Sequence, residues 1–390
     1  MDNKLPPPIH SSQSGVSGRI PPTSRKDRNS NLELYRIIVM LLIVAHHYVV
    51  NSGLLQLLQD SPLSAASSLM LVFGGWGKTG INCFLLITGY FMCRSEMSWR
   101  KLLKLYLQIV FYAIIIYSIF CITGHERLSI AGVVKLFMPV KGITNSNFVS
   151  CFLLFYLFIP FLNIFLRAID RKQHKYLTIL LLVLYSLFGG IPGIRMEFNY
   201  VSWFMALYII AAYIRNYGFL PKVSYKSWGW IALALTVAGS ASVVALEFIY
   251  KQNYTSHFLP YFLVADSNKF MSVAIAVSSF MFFKDLKIPH SRIINAFGGA
   301  TFGVLLIHAN SDAMRRWLWQ ETVDCSGHFG ESALLTVGYA LVSVLVIFIV
   351  CAGIDWFRGR FLEPRYMRIF GNAGRGIKSS TFCKKIRNIS

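Results

Sequence analysis

Ionisable side chains suited to proton transfer and anion binding lie inside the apolar runs of this chain. The stretch ELYRIIVMLLIVAHHYVV, residues 33–50, carries Arg36 near one end and His46 and His47 near the other. Placing such groups in hydrocarbon costs on the order of several kcal/mol each, which makes them functional candidates. Residues eleven apart on a helix differ by 11 × 100°, within about 20° of a whole number of turns, so Arg36 and His47 share a face. His46 lies about 100° round from His47 and is not required to face the same cavity. Glu33, three residues before Arg36, is placed for an ion pair that would hold the guanidinium. The axial distance from Arg36 to His47 is about 16 Å, half of a hydrocarbon core. Imidazole transfers protons near neutral pH, and guanidinium grips anions through paired hydrogen bonds. The same residues also suit snorkelling, with Arg36 at one interface and the histidines at the other.

A second histidine lies in LLIHAN, residues 305–310, with Asp312 four positions after His308. On a continuous helix Asp312 would orient that imidazole, and a convergent His47–His308 pair would make a polar pocket. A histidine that only fixes helix packing through a hydrogen bond fits equally well. The glycines of GGWGKTG, residues 74–80, lack the GxxxxGK[ST] pattern of a phosphate loop and read as a flexible loop into the next span. Lys78 and Asn82 beside it are polar candidates for touching a substrate. Trp76, Trp203, Trp317 and Trp319 read as interfacial belts, with sugar stacking by Trp317 and Trp319 the minority alternative. Asp355 reads as an anchor near Arg358, Glu247 is left unassigned, and NYT at 253–255 matches the short glycosylation pattern.

The elements that must position these residues follow from composition. Of 390 residues, 55% are hydrophobic and 14% charged, against roughly 25% charged in soluble domains. The chain therefore reads as an all-α, polytopic integral membrane helical bundle. About ten spans are expected, at 32–51, 69–92, 102–123, 147–167, 175–191, 199–217, 228–250, 269–284, 298–317 and 333–355. Net charge is +21, but the basic residues form short blocks between apolar runs, which is membrane patterning and argues against nucleic acid. With the amino terminus inside, roughly 28 of the 38 basic residues fall on the cytoplasmic side, which places both termini there. Residues 1–30, rich in Pro, Ser and Gly, read as a disordered cytoplasmic tail with RKDR at 25–28 as its anchor. Residues 31–356 form the membrane domain and 357–390 a basic cytoplasmic tail. The 7 cysteines are scattered without CxxC spacing, which suggests buried small apolar residues and neither zinc nor disulfides.

NLELYRIIVMLLIVAHHYVVNSGL resembles the first span of the membrane acyltransferase-3 family, whose signature is Arg or Lys, ten residues, then His. Arg36 and His47 match that spacing and His46 does not. GINCFLLITGYFM, NFVSCFLLFYLFIPFLN, SWFMALYIIAAYIRNYG and TFGVLLIHAN resemble later blocks of the family in order, over roughly residues 31–355. Two departures stand out. Where the family often has Arg-x-x-Arg after the second span, this chain has RKLLK, with Lys101 and Lys104 at that spacing and Arg100 beside them. Lysine keeps the charge but loses the bidentate fork. Where the fourth block carries Trp-Phe, this chain has Phe148-Val149.

The resemblance implies an O-acyltransferase of the cell membrane that moves an acyl group, acetyl before succinyl, from cytoplasmic acyl-CoA to an extracytoplasmic carbohydrate hydroxyl. The acceptor would be a polysaccharide or a lipid-linked glycan, reached among membrane lipids. No bound cofactor is expected, acyl-CoA being the donor substrate. Arg36 with Arg100, Lys101 and Lys104 would dock its phosphates, and His47, supported by His308 and Asp312, would act as base on the hydroxyl. A transporter or flippase of glycan precursors is the competing class. No inverted repeat or pair of broken spans favours it.

Overall fold

The computed structural model describes residues 29–138, 147–191, 199–330 and 332–378. The tail before residue 29, with its RKDR anchor, lies outside the described residues, as do Lys141, Arg195 and Cys383.

All regular structure among the described residues is helical. In chain order the helices are α1 (Ser30–Val50), α2 (Leu54–Asp60), α3 (Ala65–Gly74), α4 (Gly77–Met92), α5 (Trp99–Ile122), α6 (Ile130–Phe137), α7 (Phe148–Ala168) and α8 (Arg171–Leu181). They continue as α9 (Tyr200–Tyr217), α10 (Tyr225–Lys251), α11 (Phe270–Asp285), α12 (Arg292–His308), α13 (Asp312–Arg316), α14 (Ala333–Phe357) and α15 (Glu363–Lys378). Short polar residues start most of them. Ser64, Ser98, Ser129, Asn147, Asp170, Asn199, Ser224, Ser291, Ser311 and Ser332 each accept a backbone N–H of the first turn, which satisfies donors a helix start leaves unpaired.

Each of the ten expected runs falls on helix, but the count of ten is not reached. Among the described residues, six segments have the length and apolarity to cross a membrane: α1, α3–α4 together, α5, α7, α10 and α14 with its continuation. A seventh arises if α12 and residues 312–322 count as one span bent by 97°. The shortfall has physical reasons. Helix α11 has only 16 residues, and α8 begins with a polar turn and passes into a π-helical turn. Helix α9 carries Arg215 and Asn216 in its last turn and is buried along most of its length, so protein rather than lipid meets its polar groups.

Helix α1 occupies the centre, packed against α4, α12, α3, α14 and α11. Helix α4 runs antiparallel to it, and the approach is set by glycine. A Cβ on Gly74 would lie 2.7 Å from Val49, one on Gly80 2.9 Å from Ile43, and one on Gly77 would collide with the His46 ring. GGWGKTG is therefore no flexible loop. It is the junction where α3 ends and α4 begins, and its glycines let two helices touch.

Tryptophan placement also departs from expectation. Trp203 and Trp319 are fully buried and Trp76 nearly so, so they pack the interior and form no belt; Trp317 is half-buried. The buried Glu247 carboxylate accepts from Ser67 Oγ at 2.6 Å and Ser68 Oγ at 2.5 Å, tying α3 to α10. Asn82, a candidate for touching a substrate, is fully buried. It donates to the Ser267 carbonyl at 2.6 Å and accepts from Trp203 Nε1 at 3.0 Å.

Residues 357–378 are more than a tail. A π-helical turn at 358–362 leads into α15, which returns to α5 through a Lys104–Glu363 ion pair at 2.5 Å and stacking of Tyr366 on Phe111. Beneath it Asp355 Oδ1 accepts from Gln108 Nε2 at 3.1 Å, Tyr112 Oη at 2.9 Å and Arg358 Nε at 2.8 Å.

A candidate acyl-transfer site at the histidine end of the bundle

Helix α1 presents Arg36, Met40, Ile43 and His47 at intervals of four, three and four, one stripe along its length. At one end of that stripe Arg36 donates to Glu33 Oε1 at 2.9 Å, the expected i,i+3 pair. Its guanidinium also lies 5.9 Å from the centroid of Phe91 at the end of α4.

At the other end the stripe lines a cavity of about 80 Å³, bordered by Met40, Ile43, His46, His47, Gly77, Lys78, Ile81, Phe84, Phe148 and Leu305. A water needs about 10–15 Å³ on this measure, so the cavity has room for a group of a few heavy atoms. Its polar lining is two imidazoles and one ammonium. His46 thus shares the cavity with His47, although a turn of 100° need not have put it there. Phe148, the departure from the family's Trp-Phe, still gives the cavity an aromatic wall, stacked on Phe152 at 5.7 Å.

The two distant histidines meet. His47 Nδ1 lies 2.9 Å from His308 Nε2, and His308 Nδ1 lies 2.6 Å from the Val304 carbonyl oxygen. A carbonyl only accepts, so His308 carries its proton on Nδ1. In the neutral ring its Nε2 then accepts, which makes His47 Nδ1 the donor. That chain leaves the lone pair of His47 on Nε2, the atom a general base would use. His308 is fully buried, and Trp319 covers it edge-on at 6.3 Å between centroids.

Asp312 does not take part in this orientation. Helix α12 ends at His308, the chain turns by 97°, and α13 starts afresh with Ser311 as its cap. Asp312 is mostly exposed and accepts from Arg315 at 2.7 Å. The Val304 carbonyl supplies what Asp312 was expected to supply, because the bend breaks the one-turn spacing on which that reading relied.

A wider vestibule of about 600 Å³ adjoins the cavity across Leu305, with Glu126, Arg127, Lys135, Asn147, Asn310 and Arg315 among its lining residues. One wall is α6, within a stretch that reads as a plain loop in the sequence. Tyr117 Oη donates to the Arg127 carbonyl at 3.2 Å and Tyr106 Oη to the Phe137 carbonyl at 2.9 Å. Those tyrosines are eleven residues apart on α5, so α6 folds back along α5 by about 16 Å.

The expected phosphate-binding cations are unequal. Lys104 is engaged by Glu363 at 2.5 Å. Lys101 Nζ donates to Ser95 Oγ and the Glu96 carbonyl, both at 2.7 Å. Arg100 is exposed. Among the described residues no cysteine lines the cavity. Cys325, in the loop before α14, is 1% exposed, and burial pushes its thiol up to about 12.

A family profile described as an acyltransferase domain matches residues 29–356. The chain belongs to the acyltransferase-3 family. The acyltransferase domain thus runs from the start of α1 to the last turn of α14, and holds the paired histidines and the cavity that His47 lines. Neither curated proteins nor solved structures give a significant match to this acyltransferase.

Of the residues expected from the sequence at the site, His47 lines the cavity and His308 bonds to it, while Arg36 lies outside the cavity and most of its walls were not expected. Ile81 and Phe84 on α4 continue the spacing from Lys78, a signal available in the sequence. Leu305 and Phe148 come together only through tertiary packing. The hydrogen bond to His308 predicts a graded response. His308→Phe keeps the bulk but removes the acceptor for His47 Nδ1, and is expected to lower turnover about 10²-fold, because the base loses its fixed tautomer. His308→Gln keeps an acceptor and is expected to recover part of that loss. Steady-state turnover on purified protein checks this, and equal activity of both variants would reduce His308 to a packing residue.

Proposed function

We propose that this membrane acyltransferase moves an acyl group, acetyl foremost, from cytoplasmic acyl-CoA to a hydroxyl of a carbohydrate on the far side of the cell membrane. The observation that carries the reading is the stripe on α1, which joins a guanidinium at one end to a cavity lined at the other by His47, itself hydrogen-bonded to His308. Anionic CoA phosphates would dock at the Arg36 end, with Arg100, Lys101 and Lys104 at the start of α5 adding charge. The acyl thioester would reach the small cavity, and the sugar would stand in the vestibule with one hydroxyl at His47 Nε2. That nitrogen takes the hydroxyl proton as the oxygen adds to the thioester carbon, then returns it to the departing thiolate.

The orientation, with Arg36 inside and the histidines outside, rests on the distribution of basic residues. A polysaccharide or lipid-linked glycan is the acceptor class that suits a vestibule with both charged and amide groups. The test supplies labelled acetyl-CoA to membranes with and without the protein and weighs the surface glycan. Label in ester linkage to the glycan supports the enzyme, whereas a glycan lost altogether without the protein supports export of a precursor.

Arg36→Ala tests the donor end. A charge-assisted hydrogen bond to phosphate contributes about 1.5–3 kcal/mol, so KM for acyl-CoA is expected to rise about 10- to 100-fold with a smaller change in kcat. An unchanged KM would make Arg36 a membrane anchor.

A further inference from the structure

The cavity has a third polar group that the scheme above leaves unused. Lys78 stands one residue into α4, half-buried, and lines the same cavity as His46 and His47. Its ammonium donates to Tyr200 Oη at 2.7 Å and lies 5.4 Å from the centre of that ring. Tyr200 is held in turn, stacked on Phe204 at 5.4 Å with the planes 7° apart, at the first turn of α9. Phe204 meets Phe148, another cavity residue, at 5.4 Å. The lysine is thus braced from α9 on one side while its cavity face looks toward the histidines.

The histidines cannot perform the task the cavity still lacks. His46 Nδ1 lies 2.6 Å from the Gly74 carbonyl oxygen, so it donates there and presents Nε2 as an acceptor. His47 likewise presents a lone pair at Nε2. Two acceptors can receive a proton, but neither can stabilise negative charge on a thioester oxygen. An ammonium has three donors, of which Tyr200 uses one.

We propose that Lys78 is the oxyanion-stabilising residue of the acyl transfer, positioned by Tyr200; this rests on the acyltransferase reading above. The sugar oxygen bonds to the thioester carbon as its proton passes to His47 Nε2, and the carbonyl electron pair moves onto oxygen. The Lys78 ammonium donates a hydrogen bond to that oxyanion. The electron pair then returns, the carbon–sulfur bond breaks, and the thiolate takes the proton from His47. Ester and free thiol are the products, and Lys78 ends the cycle still protonated. In a site shielded from water, a preplaced donor of this kind contributes more than it would in solution.

The test compares Lys78→Met, Lys78→Arg and Tyr200→Phe with the unaltered protein in detergent, using acetyl-CoA and the glycan acceptor, with monodispersity as the check of folding. Removing one oxyanion donor typically costs about 10²–10³ in kcat. Lys78→Met is expected to show that loss with KM for acetyl-CoA within about threefold of the unaltered value. Lys78→Arg, which keeps the charge but not a reactive amine, is expected to recover at least about tenfold over Lys78→Met. Tyr200→Phe, which removes the hydroxyl that braces Lys78, is expected to lose less than about tenfold. The proposal is overturned if Lys78→Met turns over within about threefold of the unaltered protein, or if Tyr200→Phe is as damaging as Lys78→Met, the pattern of a purely structural brace. A folded Lys78→Arg as inactive as His47→Ala would also overturn it, even if Lys78→Met fails to fold. Absence of ester formation by the unaltered protein would instead refute the acyltransferase reading itself.

Discussion

His47→Ala is expected to lower acyl transfer by about 10²–10⁴-fold, the span general-base catalysis commonly covers, while expression and membrane insertion persist. The substitution removes the one ring nitrogen left as an acceptor once Nδ1 is committed to His308. It also leaves His308 without its donor, but the Val304 carbonyl still holds that ring. His46→Ala is the informative companion. His46 lines the same cavity, yet its Nδ1 is tied to the Gly74 carbonyl on the α3–α4 junction and the ring fills the space Gly77 leaves open. Its loss is expected to loosen the cavity and cost roughly tenfold or less, well short of removing a base. Turnover of purified variants separates the two. Normal acylation by His47→Ala, or a His46→Ala as inactive as His47→Ala, would put the base elsewhere.

The second large effect concerns stability. Asp355 and Arg358 are each 4% exposed, and one carboxylate oxygen gathers the donors of Gln108, Tyr112 and Arg358. Asp355→Ala would leave a guanidinium and two neutral donors facing an empty site. Breaking a buried pair from one side costs about 3–5 kcal/mol. Arg358 keeps Glu363 Oε2 at 3.0 Å and Tyr366 Oη at 2.5 Å, so the lower end, about 3 kcal/mol, is expected. A methyl on Gly303 would collide with the Asp355 carboxylate, so α12 rests directly on this network and the loss would loosen the helix that carries His308. Denaturant unfolding in detergent checks it. The paired replacement of Asp355 and Arg358 by leucine is expected to restore much of the stability, since an apolar pair of similar volume is often neutral. A single Asp355→Ala indistinguishable from the unaltered protein would show the network to be ornamental.

How far the sequence disclosed this arrangement depends on range. Local arithmetic did well. The Glu33–Arg36 pair and the nearness of Asp355 to Arg358 follow from intervals of three, and the structure contains both; α1 also runs unbroken through positions 36 and 47, as their shared face requires. Composition gave the all-helical membrane class for the same reason, because each apolar run must satisfy its own backbone. The readings that went astray assumed that a pattern continues where tertiary structure interrupts it. Asp312 failed as the partner of His308 because α12 stops and turns by 97°. The tryptophans missed the interfaces because Trp203 and Trp319 each meet a partner inside, Asn82 and the His308 ring. The glycines at 74–80 read as slack because no sequence rule states that Val49 and His46 wait opposite them. Helix α6 was invisible as a wall because its place is set by two tyrosine hydroxyls on another helix. The His47–His308 contact stood between these cases. Both residues were identifiable, but which nitrogen faces which required the Val304 carbonyl.

The measurement that bears most directly on transfer across the membrane uses sealed vesicles with the Arg36 end facing the lumen, labelled acetyl-CoA trapped inside and glycan acceptor supplied only outside. Label is expected to appear as ester on the outer glycan with the unaltered protein and to vanish with His47→Ala. Ester formed only when donor and acceptor share one compartment, or formed equally without the imidazole at position 47, would contradict the account.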